Sequence, residues 1–288
     1  MDNKRLVRLR GGFSDRNNKI HINKEMQYEQ LDKDSRTKLK NYLFRIIDNY
    51  IRVHGYDAGR SKISAVFADE LFCIETRSSE YEYSQIEKMI YDVFDKGEYY
   101  EVLDTIEFIA NKLMYLEGFD YWHNSIYKTY FKEYDELFEE EYIGYRFVNN
   151  IIVKITNSEE IECINQAGNS IFKSVNEHID KAVRYISEKD KDYENSIKES
   201  VSALETLCSI ISEENNKTLG ETIKIIFKEK KIHPSLKEAI LKLYGFASDE
   251  PGVRHGSGKE GNDITFDEAK AVLVICSAII NYLISMYK

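Results

Sequence analysis

The sequence has only two prolines and 14 glycines in 288 residues, so the residues that most often interrupt helices are scarce. A protein built from many short strands and tight turns would need more of both. The chain has four cysteines, and no two of them form a C-x-x-C pair. This spacing predicts neither a zinc site nor a disulfide framework. We interpret the four side chains as reduced, buried thiols of a cytoplasmic protein.

An excess of basic residues is absent as well. The chain contains 40 Lys and Arg against 50 Asp and Glu, for a net charge of -10. A protein that coats nucleic acid without sequence preference needs a clustered basic surface to neutralise phosphates. The composition excludes that class and is compatible with a small basic pocket.

Signals for export, membrane insertion and nucleotide binding are missing too. The basic residues 4–10 are followed by a polar stretch rather than an apolar one, which argues against a secretion signal. The most apolar run, 271–286, is shorter than the roughly 20 residues that span a bilayer, so we expect a core helix there and no membrane partner. Arg10-Gly11-Gly12 lacks the further glycines and the lysine of a phosphate-binding loop. The histidines show no metal-ligand spacing, and we expect no cofactor.

Hydrophobic periodicity predicts helices in the first half of the chain. Apolar residues recur at three- and four-residue intervals through 32–52, 86–94 and 99–116. Aromatic residues are dense over 81–145, where we expect them to fill the core. Two short apolar runs, 146–148 and 151–155, are joined by two asparagines that tolerate positive φ, which predicts a small β-hairpin.

Four S/T-x-x-E pairs in the second half match the capping box that begins helices. The pairs are Thr156 with Glu159, Thr218 with Glu221, Ser235 with Glu238, and Thr265 with Glu268. They predict helices near 157–167, 219–230, 235–244 and 266–287, and periodicity adds 170–187 and 194–212. Gly168 and Gly245 are placed as left-handed C-terminal caps.

These elements predict a mainly α protein with two domains. We place the boundary near 167–169, which gives a helical N-terminal domain with a small hairpin over 1–167 and a helical bundle over 168–288. The long irregular segment of the bundle, 246–263, contains Pro251 and four glycines. Long loops in compact helical domains often carry function.

Polar residues interrupt the apolar final helix at four-residue intervals. Ser277, Asn281 and Ser285 form this stripe, and buried polar groups must find hydrogen-bond partners. A contact with a second subunit or domain would satisfy them, and bonding within the chain would do so equally well.

The loop sequence resembles a known family. Residues 249–258, DEPGVRHGSG, resemble the G-I/V-R-H stretch of HEPN domains in abortive-infection proteins. Residues 195–205, NSIKESVSALE, are similar to another segment of the same domain, and the short motifs at 218–220, 232–234 and 242–245 follow in the family's order.

The N-terminal half resembles the AbiJ N-terminal domain. Residues 13–16 (FSDR) are similar to its opening motif, and residues 35–39 (SRTKL) fit its first long helix. Residues 103–109 (LDTIEFI) and 145–148 (YRFV) also match it. The shared order and spacing of these segments identify an AbiJ-like abortive-infection protein with a C-terminal HEPN domain.

This resemblance implies a function and a set of site residues. Active members are metal-independent ribonucleases that work as HEPN dimers, so we expect RNA as the substrate, a homodimer and a phage-derived trigger. Arg254 matches the motif's arginine and His255 its polar second position, which makes them the catalytic candidates. Glu199, Ser202 and Glu205 on one predicted helix, together with Lys259, are candidate supporting residues.

The chain departs from the motif at one point. Lys259, Glu260 and Gly261 stand where the final histidine is expected, and His255 or Lys259 of a second subunit could replace the missing group. In an alternative interpretation, Arg254 and His255 cap helices or pair with Glu199 or Glu205 to hold the loop. The domain would then be a non-catalytic module that dimerises and binds a partner protein or a nucleotide.

Overall fold

The fold comes from a computed structural model that describes residues 10, 12–19, 25–74, 82–116, 124–187, 191–214, 218–230, 232–249 and 264–287. Within these ranges, 113–116, 124–128 and 247–249 are described by their backbone alone. The chain divides into two compact units, Met1–Ile152 and Val153–Lys288. The domain boundary expected near 167–169 remains a prediction.

The N-terminal unit is helical, as its periodicity predicts. Its helices are α1 (Phe13–Arg16), α2 (Lys33–His54), α3 (Tyr56–Val66), α4 (Tyr83–Lys96), α5 (Tyr99–Leu116) and α6 (Asn124–Glu140). A short π-helical segment, Phe67–Leu71, continues α3. Helix α3 was not predicted, because its glycine and serine residues weaken the helical pattern.

Large apolar and aromatic side chains fill the core of this unit. Tyr134, Phe67, Phe94 and Phe138 are among its largest fully buried side chains. Tyr134 meets Tyr42 edge-to-face, with ring centroids 4.6 Å apart. The prediction that the aromatic residues of 81–145 fill the core is confirmed for Phe94, Tyr134 and Phe138.

Glu141, the first residue after α6, is a fully buried carboxylate. It accepts a hydrogen bond from Arg10 Nε at 2.8 Å and forms an ion pair with Lys38 of α2. The amide of Gln27 donates to the Glu141 carbonyl at 2.7 Å. A buried charge is costly unless it is paired, so these cations make the burial of Glu141 tolerable.

The predicted hairpin is present as β1 (Arg146–Val148) and β2 (Ile151–Val153). Asn149 and Asn150 have φ angles of 46° and 66°. Two consecutive positive φ angles define the turn whose twist matches paired strands, and asparagine adopts them more readily than most residues. The two asparagines therefore predicted the hairpin correctly, because they adopt the positive φ angles that its turn requires.

The C-terminal unit is a helical bundle. Its helices are α7 (Ser158–Gly168), α8 (Lys173–Ile186), α9 (Tyr193–Ser212), α10 (Leu219–Glu229), α11 (Pro234–Asp249) and α12 (Phe266–Tyr287). Helix α9 packs against α8, α10, α11 and α12, and it carries buried residues from Ser196 to Cys208. It is the central helix of the bundle.

Two of the four predicted capping boxes are confirmed. The Glu221 carboxylate accepts from the Thr218 backbone amide at 2.9 Å, and Glu268 accepts from the Thr265 amide at 2.8 Å. The Thr156 box is wrong, because the Asn157 side chain accepts from the amides of the first turn of α7 instead.

The Ser235 box is wrong for a different reason. Helix α11 begins at Pro234, which is suited to a first helical position, and the ring nitrogen of His233 lies 3.2 Å from the Ser235 amide. The predicted left-handed caps are wrong as well. Gly168 is the last residue of α7 and has no positive φ, and α11 continues through Gly245 to Asp249.

Helix α12 is long and apolar enough to cross a membrane by length and composition alone. It packs against α7, α8 and α9, and its buried residues include Leu273, Cys276 and Ile280. Core helices of globular proteins can have the same length and composition, and the contacts of α12 fit the predicted core helix.

The expectation of buried thiols holds for two cysteines. Cys208 and Cys276 are buried, Cys163 is half-buried, and all four cysteines are free. The expectation is wrong for Cys73, which is exposed just after the π-helical segment. The residues next to Cys73 are apolar, which suggested burial. Cys73 follows the end of the helical segment, and its side chain is exposed there.

Candidate functional site

The predicted supporting residues lie on α9. The side chain of Asp192 caps this helix by accepting from the Asn195 amide at 3.0 Å. Glu199, Ser202 and Glu205 are half-buried. Ser202 lies three residues from Glu199 and three from Glu205, so it shares a helix face with each of them. Glu199 and Glu205 are six residues apart, which places their side chains about 120° from one another around the helix axis. The helix therefore does not bring the two carboxylates to one point.

Glu199 has a partner that the sequence analysis missed. Its Oε2 lies 2.6 Å from Nδ1 of His178 on α8. The His178 side chain is 28% exposed and the Glu199 side chain 23%. The pair is thus sheltered by the two helices and still reaches solvent.

The packing of α8 against α9 fixes this pair. The hydroxyl of Ser196 is buried and donates to the carbonyl of Ala182 at 2.8 Å. From Ser196 to Glu199 is one turn forward along α9, and from Ala182 to His178 is one turn back along α8. The helices therefore run antiparallel here, and the Ser196 hydrogen bond sets the register that brings His178 to Glu199.

Glu205 lies in a different environment. Burial, and secondarily the nearby Glu205 carboxylate, raises the pKa of the Cys208 thiol to about 12. Cys208 is consequently a protonated core side chain, and it is unsuited to act as a nucleophile. Glu205 faces the region of Cys208 rather than the His178 pair.

The candidate catalytic residues Arg254 and His255 lie outside the described residues, as does Lys259. The described residues next in the chain are the start of α12, where Thr265 and Glu268 form the capping box. The ring of Phe266 meets that of Tyr193 edge-to-face at 6.1 Å. Helices α9 and α12 therefore begin side by side, and Glu199 lies about 9 Å along α9 from that end, at 1.5 Å per residue.

The polar stripe of α12 is largely bonded within the chain. Asn281 donates to the carbonyl of Cys163 on α7 at 2.9 Å, and Ser285 donates to the carbonyl of Tyr282 at 2.7 Å. The hydroxyl of Ser277 is buried and has no hydrogen-bond partner among the described residues. Of the two alternatives for this stripe, bonding within the chain accounts for Asn281 and Ser285.

Within the described residues, no group of three His, Cys, Asp or Glu side chains is arranged to hold a metal ion. The chemistry available to the described part of this site is that of a carboxylate, an imidazole and a hydroxyl. These groups accept, donate and transfer protons.

The comparison with protein families defines the class of protein. The AbiJ N-terminal domain 4 family matches residues 11–170, more than half of the chain, and the HEPN-like domain family matches residues 173–287. No curated protein and no solved structure matches the chain. The two domains indicate an abortive-infection defence protein.

The chain belongs to the AbiJ N-terminal domain 4 family and carries a C-terminal HEPN-like domain. The suspected family and the order of its two domains are confirmed. The mainly helical fold, with one small hairpin, is confirmed too.

The His178–Glu199 pair had only a faint signal in the sequence. His178 follows Val175 by three residues and precedes Ala182 by four, so it borders the buried stripe of α8. A polar residue at that border often contacts a neighbouring helix. Which residue it contacts depends on the register between α8 and α9, and periodicity carries no information about that register.

Proposed function

We propose that this protein is a cytoplasmic abortive-infection effector whose HEPN-like domain cleaves RNA without a metal ion. The observation that carries the proposal is the HEPN-like match over 173–287, which encloses Arg254-His255 between α11 and α12. The bundle supports it, because α9 presents half-buried polar side chains in the unit that contains this motif.

Each candidate group has a definite chemical task. A guanidinium forms two parallel hydrogen bonds to a phosphate and stabilises charge on its oxygens, which is the task assigned to Arg254. An imidazole exchanges protons near neutral pH, which is the task assigned to His255. Attack of the RNA 2′-hydroxyl on the adjacent phosphate then gives a 2′,3′-cyclic phosphate and a free 5′-hydroxyl.

The proposal includes a homodimer formed through the HEPN-like domain and a phage-derived trigger. In a dimer, His255 and Lys259 of each subunit are the groups assigned to complement the other site. The trigger explains how a cell tolerates the enzyme before infection. We assign sensing of that trigger to the AbiJ N-terminal domain.

A second function is favoured by a specific observation. Lys259, Glu260 and Gly261 stand where the ribonuclease motif has its last histidine. A domain that had lost catalysis and retained Arg254 and His255 for holding its loop would be a binding module for a partner protein or a nucleotide. The two candidates differ in whether the purified protein breaks phosphodiester bonds.

The test is incubation of the purified full-length protein with total cellular RNA in EDTA, with and without phage lysate as a source of the trigger. The variants are His255→Ala and the double variant Arg254→Ala/His255→Ala, each compared with wild type by its circular dichroism. We expect wild type to release fragments with 2′,3′-cyclic phosphate ends and the variants to release none. Fragments of the same amount and ends from the double variant would exclude Arg254 and His255 from catalysis.

A further inference from the structure

The pair formed by His178 and Glu199 is a titratable pair outside the Arg254-His255 motif. The hydrogen bond between Nδ1 and Oε2 is short, at 2.6 Å, and joins two helices of the HEPN-like unit. An ionised carboxylate only accepts hydrogen bonds, so Nδ1 carries the hydrogen and donates it to Glu199. The other ring nitrogen, Nε2, then has a free lone pair when the imidazole is neutral.

Nε2 is the group of this pair that could meet a ligand. Among the residues that the structure describes, His178 has no hydrogen-bond partner apart from Glu199. Its side chain is partly exposed, so solvent reaches the ring. A carboxylate that fixes the orientation and tautomer of an imidazole makes the histidine an effective general base for a substrate that reaches its second nitrogen.

We infer that His178, oriented by Glu199, is a proton-transfer residue of the HEPN-like domain in RNA cleavage. This inference rests on the proposed function and extends it to a residue outside the motif. The inference also supplies a group that the motif lacks. Cleavage through the 2′-hydroxyl needs one group to remove the hydroxyl proton and another to give a proton to the leaving 5′-oxygen. The sequence motif supplies a single histidine.

The step balances with RNA and water alone. Nε2 of His178 takes the proton of the 2′-hydroxyl, and the 2′-oxygen forms a bond to phosphorus. The bond between phosphorus and the 5′-oxygen breaks, and the leaving 5′-oxygen takes a proton from His255, in the proton-exchange task assigned to that residue above, after which solvent returns a proton to His255. The protonated imidazole of His178 returns its proton to solvent.

Position along the bundle agrees with this role. Ser202 is one turn after Glu199, half-buried on the same face of α9, and its hydroxyl is suited to a ribose or phosphate oxygen. Phe266 and Tyr193 place the first turn of α12 beside the first turn of α9. The pair thus lies within two turns of the end of α9 at which α12 begins.

The role differs measurably from that of a structural clamp between helices. In His178→Asn, the amide nitrogen takes the place of Nδ1 and keeps a donor for Glu199, while the proton-transfer nitrogen is removed. His233→Asn is the matched control, because His233 is an exposed residue whose ring nitrogen lies beside the Ser235 amide, and asparagine also caps helices. His178→Ala leaves space for added imidazole, which can restore proton transfer but cannot restore a link between helices.

The experiment measures cleavage of a fluorogenic RNA oligonucleotide by the full-length protein in EDTA, with thermal unfolding of each variant recorded alongside. An all-2′-deoxy oligonucleotide serves as the uncleavable control. We expect His178→Asn to lose about 100-fold in rate, the low end of the usual effect of a general base. We expect His233→Asn to match wild type and imidazole to restore His178→Ala severalfold.

The other outcomes are distinguishable. Cleavage by His178→Asn at the wild-type rate would overturn the inference and leave the proposed function standing. A loss of rate with a lower unfolding temperature and no rescue by imidazole would identify a structural clamp and overturn it as well. Wild-type protein that cleaves no RNA, with or without phage lysate, would remove the proposed function and this inference with it.

Discussion

The Oδ1 of Asp135 on α6 accepts a hydrogen bond from the backbone amide of Phe147 on β1, at 2.8 Å. This contact fastens the hairpin to the last long helix of the N-terminal unit. Burial raises the pKa of the Asp135 carboxyl to about 7, although the Phe147 hydrogen bond and nearby Arg146 both favour the charged form. Desolvation is therefore the dominant effect at this contact.

The raised pKa predicts a pH-dependent stability. The folded protein holds the Asp135 proton up to about pH 7, whereas the unfolded chain releases it near the ordinary value of 3.8. The folded state binds more protons between these values, so this group's contribution to stability falls as pH rises from about 4 to 7 and stays low above it.

Replacement of Asp135 by asparagine should remove that dependence. Asn keeps an oxygen for the Phe147 amide and carries no charge, so Asp135→Asn should raise the free energy of unfolding at pH 8 by about 1–2 kcal/mol and change it little at pH 5. Thermal unfolding at both values measures the difference. Equal effects at both would show that the Asp135 pKa is ordinary.

Glu141→Gln should destabilise the N-terminal unit. The substitution removes the buried charge that pairs with Arg10 and Lys38, while Arg10 keeps its ion pair with Asp32. We expect a loss of about 2–4 kcal/mol, below the largest losses for broken buried pairs because Lys38 is partly exposed. Urea unfolding measures it, and the exposed neighbour variant Glu140→Gln should lie within about 0.5 kcal/mol of wild type. Similar losses in both would mean that burial of Glu141 is unimportant.

Two glycine-to-alanine substitutions should change the free energy of unfolding in opposite directions. A Cβ on Gly59 of α3 would lie 2.8 Å from the Cα of Ile51, so Gly59→Ala should cost about 1–3 kcal/mol through displacement of α2 or α3. A Cβ on Gly220 of α10 would make an ordinary contact at 3.6 Å with Leu241. Gly220→Ala should therefore stabilise by about 0.5–1 kcal/mol, the helix preference of alanine over glycine. Scanning calorimetry measures the stability change of each variant. A stabilising Gly59→Ala would contradict the close packing of α2 and α3.

The cysteines should differ in reactivity. Cys73 is exposed, whereas burial raises the pKa of Cys276, like that of Cys208, to about 12. Alkylation at pH 8 followed by peptide mass spectrometry should modify Cys73 first and leave Cys208 and Cys276 unmodified until the protein unfolds. Early labelling of Cys276 would indicate that the C-terminal bundle opens locally.

Local patterns predicted the C-terminal helices well, because a capping box requires only two side chains three residues apart. Thr218 and Thr265 cap as predicted, whereas at Thr156 a stronger cap, Asn157, stands one residue later. Proline at position 234 fixes the start of α11 one residue before Ser235. In both cases a neighbouring residue determines the start of the helix instead. The start moves by one residue, and the fold does not change.

The site was less predictable, because its contacts cross between helices. Glu199 was identified as a candidate through the family motif, and its partner His178 lies 21 residues away on another helix. That contact depends on the buried Ser196 hydroxyl and on the apolar residues that set the register of α8 against α9. A single sequence shows which helix faces are apolar. It does not determine the register in which two such faces pack.

The most direct test of the account is made in infected cells. Bacteria producing wild-type protein or His255→Ala at equal levels are infected with a panel of phages, and 2′,3′-cyclic phosphate RNA ends are sequenced alongside plaque counts. We predict that wild type lowers plaque counts for at least one phage and yields new cyclic ends after infection, while His255→Ala does neither. Protection by both proteins without new cyclic ends would contradict RNA cleavage as the basis of defence and would favour the binding module.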